Sequence, residues 1–326
     1  MNNSPPLLSY RVGALMYTPA LNKTIAENLI TQKFILPDSI TFCLEDSITD
    51  ASLSKAQNQL TATLEKIESA ASAGKISIDG LPLIFVRIRS PQHMSRIFHE
   101  LGGLISLVSG FVLPKFSLRN AIDYKTAAYE INARADKPVY LMPILESKSV
   151  ISARNRVEAL FGLKEILDAM KEIVLNIRVG GNDFCNLYAV RRNVSQTIYD
   201  VAVVNGVIAD ILNIFSGEYI VSAPVWEYFD SGIGGAWKTG LIRELERDAL
   251  NGFIGKTAIH PSQVPVIREC MKVSAADFAD ARSLLSWTGA SGVAKSAHSA
   301  RMNEVKVHRR WAEKIVTLAE IYGVRK

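Results

Sequence analysis

The chain is short of cysteine, of unbroken apolar runs and of glycine-rich turns, and each shortage removes a class of protein. Cysteine occurs three times in 326 residues, at Cys43, Cys185 and Cys270. Their spacing matches no metal site and no disulfide framework, so reduced thiols are expected. Cys185 lies two residues from Asp183, but a packed thiol is expected there, because sulfur is a poor ligand for a hard ion. The most apolar long stretch, residues 201–215, is broken by Asn205, Asp210 and Asn213. It reads as a buried helix and not as a membrane span. The opening Met1-Asn2-Asn3-Ser4-Pro5-Pro6 lacks a basic segment followed by an apolar one, so no signal peptide and a cytoplasmic location are expected. There is no internal repeat and no low-complexity tract. No basic run is interleaved with aromatics, so nucleic acid is not the expected partner. The balance of 37 Lys and Arg against 32 Asp and Glu, net +5, reads first as an ordinary soluble surface and, functionally, as attraction for anionic small molecules.

Eight short β-like runs are present, at residues 12–17, 39–45, 82–89, 110–114, 138–145, 175–180, 218–223 and 252–259. Most are nearly continuous apolar stretches, the pattern of strands buried on both faces. Helix-compatible segments lie between most of them, at 22–33, 53–73, 117–135, 150–172, 195–215 and 238–250. Strand then helix, eight times over, predicts an α/β fold of the (β/α)8 TIM-barrel type. A doubly wound sheet would carry a glycine-rich first turn, and Tyr17-Thr18-Pro19-Ala20-Leu21 is not one. The expected division is a barrel over residues 1–270 and a helical extension over 271–326. In that extension, residues 289–292 look like a flexible break and 302–322 read as helix.

Barrel active sites are assembled at the C-terminal ends of the strands. Read in order, those ends carry Tyr17, Glu45-Asp46, Arg87, Lys115, Glu146, Asp183, Pro224 and His260. Glu146 and Asp183 are the candidate metal ligands, since two converging carboxylates repel unless a cation lies between them. Oxygen ligands suit a hard ion such as Mg²⁺. Arg87 offers a planar fork for a carboxylate or enolate oxygen, and Arg89, two residues on, is expected to point the same way. The alternative for Arg87 is an ion pair with Glu45 or Asp46. Lys115 is a candidate for neutralising a substrate carboxylate or phosphate, with a solvated loop lysine as the alternative. His260 is a candidate acid or cofactor contact, or a histidine that only satisfies loop backbone.

Several motifs recur in a fixed order: Leu44-Glu45-Asp46-Ser47-Ile48, Val86-Arg87-Ile88, Leu113-Pro114-Lys115, Ile144-Leu145-Glu146-Ser147, Gly180-Gly181-Asn182-Asp183 and Gly252-Phe253-Ile254-Gly255-Lys256-Thr257-Ala258-Ile259-His260-Pro261. Together they resemble the citrate lyase β-subunit and malyl-CoA lyase superfamily of Mg²⁺-dependent carbon–carbon lyases, over roughly residues 11 to 320. The resemblance implies a TIM barrel with a C-terminal extension, assembled as a homo-oligomer, a trimer or hexamer. It implies metal ligands at Glu146 and Asp183, a catalytic, substrate-binding arginine at Arg87, and an acidic pair, Glu45 and Asp46, that holds metal-bound water. It also implies a catalytic acidic residue contributed by a neighbouring subunit, for which Glu304 in Met302-Asn303-Glu304 is the match. Tyr17, Lys115 and His260 would contact substrate. That substrate would be a 2-oxo acid or hydroxy-acid derivative, in some members a coenzyme A thioester. The chain departs from the pattern at Pro19-Ala20-Leu21-Asn22, at Ile88-Arg89-Ser90, at Arg191-Arg192-Asn193 and at Ser222-Ala223-Pro224-Val225-Trp226, and so resembles a divergent branch. A second reading of the same composition is a non-catalytic barrel that binds an anionic ligand or RNA.

Overall fold

Eight parallel strands form the centre of the first part of the chain. They are β1 (Ala14–Pro19), β2 (Ser39–Cys43), β3 (Leu83–Arg87), β4 (Gly110–Leu113), β5 (Tyr140–Leu145), β6 (Ile177–Val179), β7 (Val221–Ser222) and β8 (Lys256–Ala258). Each pairs in parallel with its neighbour in sequence from β1 to β7, and β1 also pairs with β8. A parallel bridge from Ala223 to Lys256 joins the two remaining edges and closes the barrel. This computed structural model describes residues 6–232, 234–296 and 300–325. Residues 1–5, where no signal peptide is expected, lie outside them.

Each expected strand is present; most are shorter than the apolar run, because only its hydrogen-bonded part is shared with the neighbours, and β1 is shifted from the expected 12–17 to Ala14–Pro19. The barrel interior is packed by Val12, Leu15, Phe85, Val112, Met142, Ile144 and Leu175, with Leu8 and Tyr17 partly buried against them. Fully burying such side chains is worth about 1.5–3 kcal/mol each, which makes the barrel a packed core and not a pore. Residues 201–215 do form the buried helix expected of them. The helix Ala202–Phe215 buries Val204, Val207, Ile208, Ile211, Leu212 and Phe215 along one face. The segment 150–172 does not form one helix. It divides into Lys148–Ile151 and Arg156–Asp168, because the Arg156 side chain turns back to cap the carbonyls of Val150 and Ile151.

Cα packing divides the chain into two units, with the boundary between Pro265 and Val266. In the second unit, the helices Ala275–Leu285 and Arg309–Tyr322 pack through Ala281, Leu284 and Ala312, with Trp311, Ile315 and Val316 against them. The expected helix over 302–322 is corrected at its start. Met302–Glu304 is a strand, paired antiparallel with Val293–Lys295, and the helix begins only at Arg309. The expected break at 289–292 leads into this hairpin, where the Trp287 indole donates to the Ser291 carbonyl at 2.7 Å. No described helix is long and apolar enough to cross a membrane.

Candidate active site

The strand ends bring five of the expected residues into contact. Arg87, the last residue of β3, is buried, and its Nη2 lies 2.7 Å from Glu45 Oε2, 2.9 Å from Asp46 Oδ2 and 3.7 Å from Glu146 Oε1. Lys115 Nζ, after β4, lies 2.6 Å from Glu45 Oε1 and 3.1 Å from Asp46 Oδ1. The ion pair considered as the alternative role for Arg87 is therefore real, but it lies inside the cluster of candidate site residues. Arg87 Nε keeps no partner, a donor left over in a buried place. Burial works against the charge on Arg87. Tyr17, Glu146 and Glu45 outweigh it and hold the guanidinium pKa above its ordinary value.

Backbone geometry places Glu146. Lys115 adopts φ 49°, in the left-handed region, which costs a non-glycine residue on the order of 1–3 kcal/mol. The turn directs its amide to Glu146 Oε1 at 2.8 Å. Gly180 lies on the other side, and a Cβ there would collide with the Glu146 side chain. Glu146 is thus held by a strained loop on one side and by a residue that has no side chain on the other. Burial pushes its pKa up to about 8, and the nearby charge of Asp183 adds to the rise, while Arg87 opposes it. Asp183 is half-buried, in the first turn of the short helix Gly181–Leu187.

Burial also works against ionisation of Asp46, but Glu45, Arg87 and Lys115 outweigh it and hold the carboxyl below the usual carboxylate range. Lys115 responds in the opposite sense. Its partial burial is outweighed by Glu45 and Asp46, which hold the ammonium above its ordinary value.

Among the described residues no three His, Cys, Asp or Glu side chains converge as a ready metal-binding group. The donor chemistry nevertheless fits a hard divalent cation. Four carboxylates against two cations leave the neighbourhood formally at −2 when all are ionised. Glu146 is the group that burial and Asp183 most oppose in its charged form, and a cation would relieve both penalties.

The structure places the other candidates differently. Arg89 does not join Arg87, because β3 ends at Arg87 and the chain turns. Its Nε donates to Leu44 O at 2.7 Å, and its two other nitrogens reach Ile48 O and Asp50. It clasps the loop that carries Glu45 and Asp46. His260 hydrogen-bonds Ser262 at 2.8 Å and stacks on Phe229, with ring centroids 4.8 Å apart. Tyr17 is half-buried with Arg87 beside its ring, 5.8 Å from the centroid. Glu304 lies in the second unit on the strand Met302–Glu304, where its amide donates to His308 Nδ1 at 2.9 Å. Cys185 is a buried thiol whose pKa burial raises, as expected of a packed side chain.

Reading strand ends missed Arg178. It lies in the middle of β6, is 2% exposed, and donates to Thr257 Oγ1 at 2.6 Å. The signal was available: an arginine at the centre of Leu175-Asn176-Ile177-Arg178-Val179 is out of place in a strand buried on both faces.

A family model described as carbon–carbon bond lyase of the TIM-barrel fold matches residues 6–324. Among solved structures, a citrate lyase from Burkholderia xenovorans is similar at 14% identity and a TM-score of 0.69, over 96% of this chain and 93% of that one. The protein CitE from Mycobacterium tuberculosis, in complex with magnesium, acetoacetate and coenzyme A, is similar at 20% identity and a TM-score of 0.58, over 95% and 99%. The citrate lyase β-subunit from the same organism, complexed with oxaloacetate and magnesium, is similar at 19% identity and a TM-score of 0.51, over 80% and 98%. At these identities the likeness shows the fold. No sequence among the curated proteins matches the chain.

Proposed function

We propose, for a chain that belongs to the carbon–carbon bond lyases of the TIM-barrel fold, that it cleaves or forms a hydroxy-acid derivative with a 2-oxo acid partner through an enolate, with Mg²⁺ as cofactor. The observation that carries this reading is the cluster at the strand ends. Glu45, Asp46 and Glu146 surround Arg87, and Asp183 is close enough to raise the Glu146 pKa. Glu146 and Asp183 would hold the Mg²⁺, which supplies a Lewis acid and a template when bound.

The side chains divide the remaining work. Arg87 carries a charge reinforced by its neighbours and a free Nε, so it suits an oxygen that gains negative charge during the reaction. Asp46 stays ionised and half-exposed, so it suits orienting a water; that water, or Glu304 of a neighbouring copy, would take the substrate hydroxyl proton. Lys115 offsets the acidic pair and, at its exposed tip, would meet a further anionic group of the substrate. Oxaloacetate and acetoacetate complexes of similar barrels support small oxo acids as ligands. Coenzyme A as carrier, a cytoplasmic location and assembly as a trimer or hexamer belong to the same proposal.

The test is calorimetric titration of the protein with Mg²⁺, then with oxaloacetate or pyruvate in its presence. The wild type should bind one ion per chain, and the oxo acid only with the ion. Asp183→Asn should weaken ion binding at least tenfold while the fold survives. Equal affinity in wild type and variant sinks the ligand assignment.

A further inference from the structure

A cleft of about 410 Å³ opens beside the first residues of β4 and β5, a volume within the range of small-molecule sites. Phe98, Ile105 and Val139 give it an apolar wall, and His99, Arg134, Asp136 and Lys137 bring polar and charged groups to it. Val139 directly precedes β5, whose six residues, Tyr140–Leu145, run from the cleft to Glu146. About 20 Å of strand therefore separates this cleft from the candidate active site. Barrel enzymes assemble their chemistry at the other end of the strands, so a site here is one that binds and does not react.

The loop that carries the cations is held in place. Between the helix Ala121–Asn132 and β5 it is closed by a reciprocal pair: Asn132 Nδ2 donates to Val139 O at 3.1 Å, and the Val139 amide donates to Asn132 Oδ1 at 2.9 Å. Pro138 stiffens it further, fixing its own φ and keeping Lys137 out of helical backbone. Lys137 Nζ donates to the carbonyl of Ser106, which ties the loop to the segment Gly102–Leu107 that also lines the cleft.

Arg134 and Lys137 reach this cleft without an acid. Among the described residues neither pairs with a carboxylate. Lys137 meets a neutral carbonyl, Arg134 Nη1 lies 3.5 Å from His99 Nε2, and Asp136 pairs with neither. Burial lowers the Lys137 pKa, and no carboxylate opposes it. Both cations keep N–H groups to spare, since an ammonium carries three and a guanidinium five. A carboxylate would supply the missing counter-charge, and an apolar body attached to it would cover Phe98, Ile105 and Val139. We propose that the cleft is a binding site for a small organic carboxylate, held by Arg134 and Lys137 at its charged end and by Phe98, Ile105 and Val139 at its apolar end. The site stands apart from Glu146 and Asp183, and the inference does not rest on the lyase reading.

Benzoate is the probe, with benzyl alcohol as a similar body without the charge and acetate as the charge without the body. Each is titrated against the full chain by saturation-transfer NMR in the absence of Mg²⁺. Benzoate should bind, and the other two should bind at least about fivefold more weakly. Lys137→Met and Arg134→Gln should each weaken benzoate about fivefold, between the contribution of an exposed ion pair and that of a hydrogen bond to a charged group. Lys137→Arg keeps the charge and should bind as the wild type does. Arg87→Lys alters the candidate active site and should leave the benzoate affinity unchanged. Absence of benzoate binding, or benzyl alcohol binding equally well, overturns the inference. So does an affinity that survives Lys137→Met and Arg134→Gln, and a loss confined to Arg87→Lys would move the bound probe to the active site.

Discussion

His93 shows how a single residue ties the loop geometry to pH. It is buried in the first turn of the helix Pro91–Leu101, its Nδ1 accepts from the Arg89 amide at 3.1 Å, and its Nε2 has no partner. Burial, helped by Arg96 and Arg89, pushes its pKa down to about 4. A depressed histidine binds a proton more readily in the unfolded chain. The unfolded state therefore gains protons first as pH falls below about 6.5, and stability is lost progressively down to about 4. The difference is at most about 3 kcal/mol, less where relaxation admits water. His93→Asn keeps an acceptor near the Arg89 amide but removes the titration. Thermal unfolding at pH 7 and pH 4.5 should show a smaller acid-induced drop in Tm for the variant than for the wild type. Equal drops mean that His93 does not carry the effect.

At the scale of elements, a buried ionic network ties β8 to the helix Ala236–Leu250. Glu244 and Asp248 are four residues apart and share one face of that helix. Lys256, from β8, donates to Glu244 at 2.9 Å and to Asp248 at 2.7 Å. Arg192 and the Ile198 amide bind the other Glu244 oxygen at 2.7 and 2.8 Å, and the Tyr199 hydroxyl donates to Asp248 at 2.7 Å. The loop before the helix Ala202–Phe215 is thereby fastened to the barrel, with Arg192 lying over the Trp226 ring. Replacing a whole buried network can be neutral, but removing one partner strands the others. Lys256→Met should leave two buried carboxylates face to face and cost about 3–5 kcal/mol. Urea unfolding measures this directly, and a loss below about 1 kcal/mol would assign the network to another task.

For the whole molecule, the resemblance sets the expectation that an acidic residue, matched by Glu304, works in the site of a neighbouring subunit. We propose that Glu304 serves the site of a neighbouring copy, in a head-to-tail ring that closes. Glu304→Ala and Asp183→Ala should each be inactive alone. Hybrids formed from the two variants should regain part of the activity, because some sites would combine an intact barrel with an intact tail. A monomer by light scattering, or hybrids without recovery, would remove the shared site and leave the barrel's own assignments standing.

The eight strands were legible in the sequence because buried parallel strands leave continuous apolar runs, and the residues at their ends could be read off once those runs were placed. Glu45, Asp46, Arg87, Lys115 and Glu146 were found in this way and meet in the structure. Helix boundaries were less legible. The break after Ile151 depends on a side chain folding back, and the strand Met302–Glu304 depends on a partner seven or more residues away. What only the tertiary structure decided is which charges face one another. Periodicity fixes the face on which a side chain lies but not its neighbours across a closed barrel. Arg87 and Arg89 share a sequence pattern, yet the end of β3 sends one to the acidic cluster and the other to the backbone of residues 44–50. Arg178 and Thr257 are 79 positions apart in the chain, and only barrel closure brings the guanidinium to the hydroxyl.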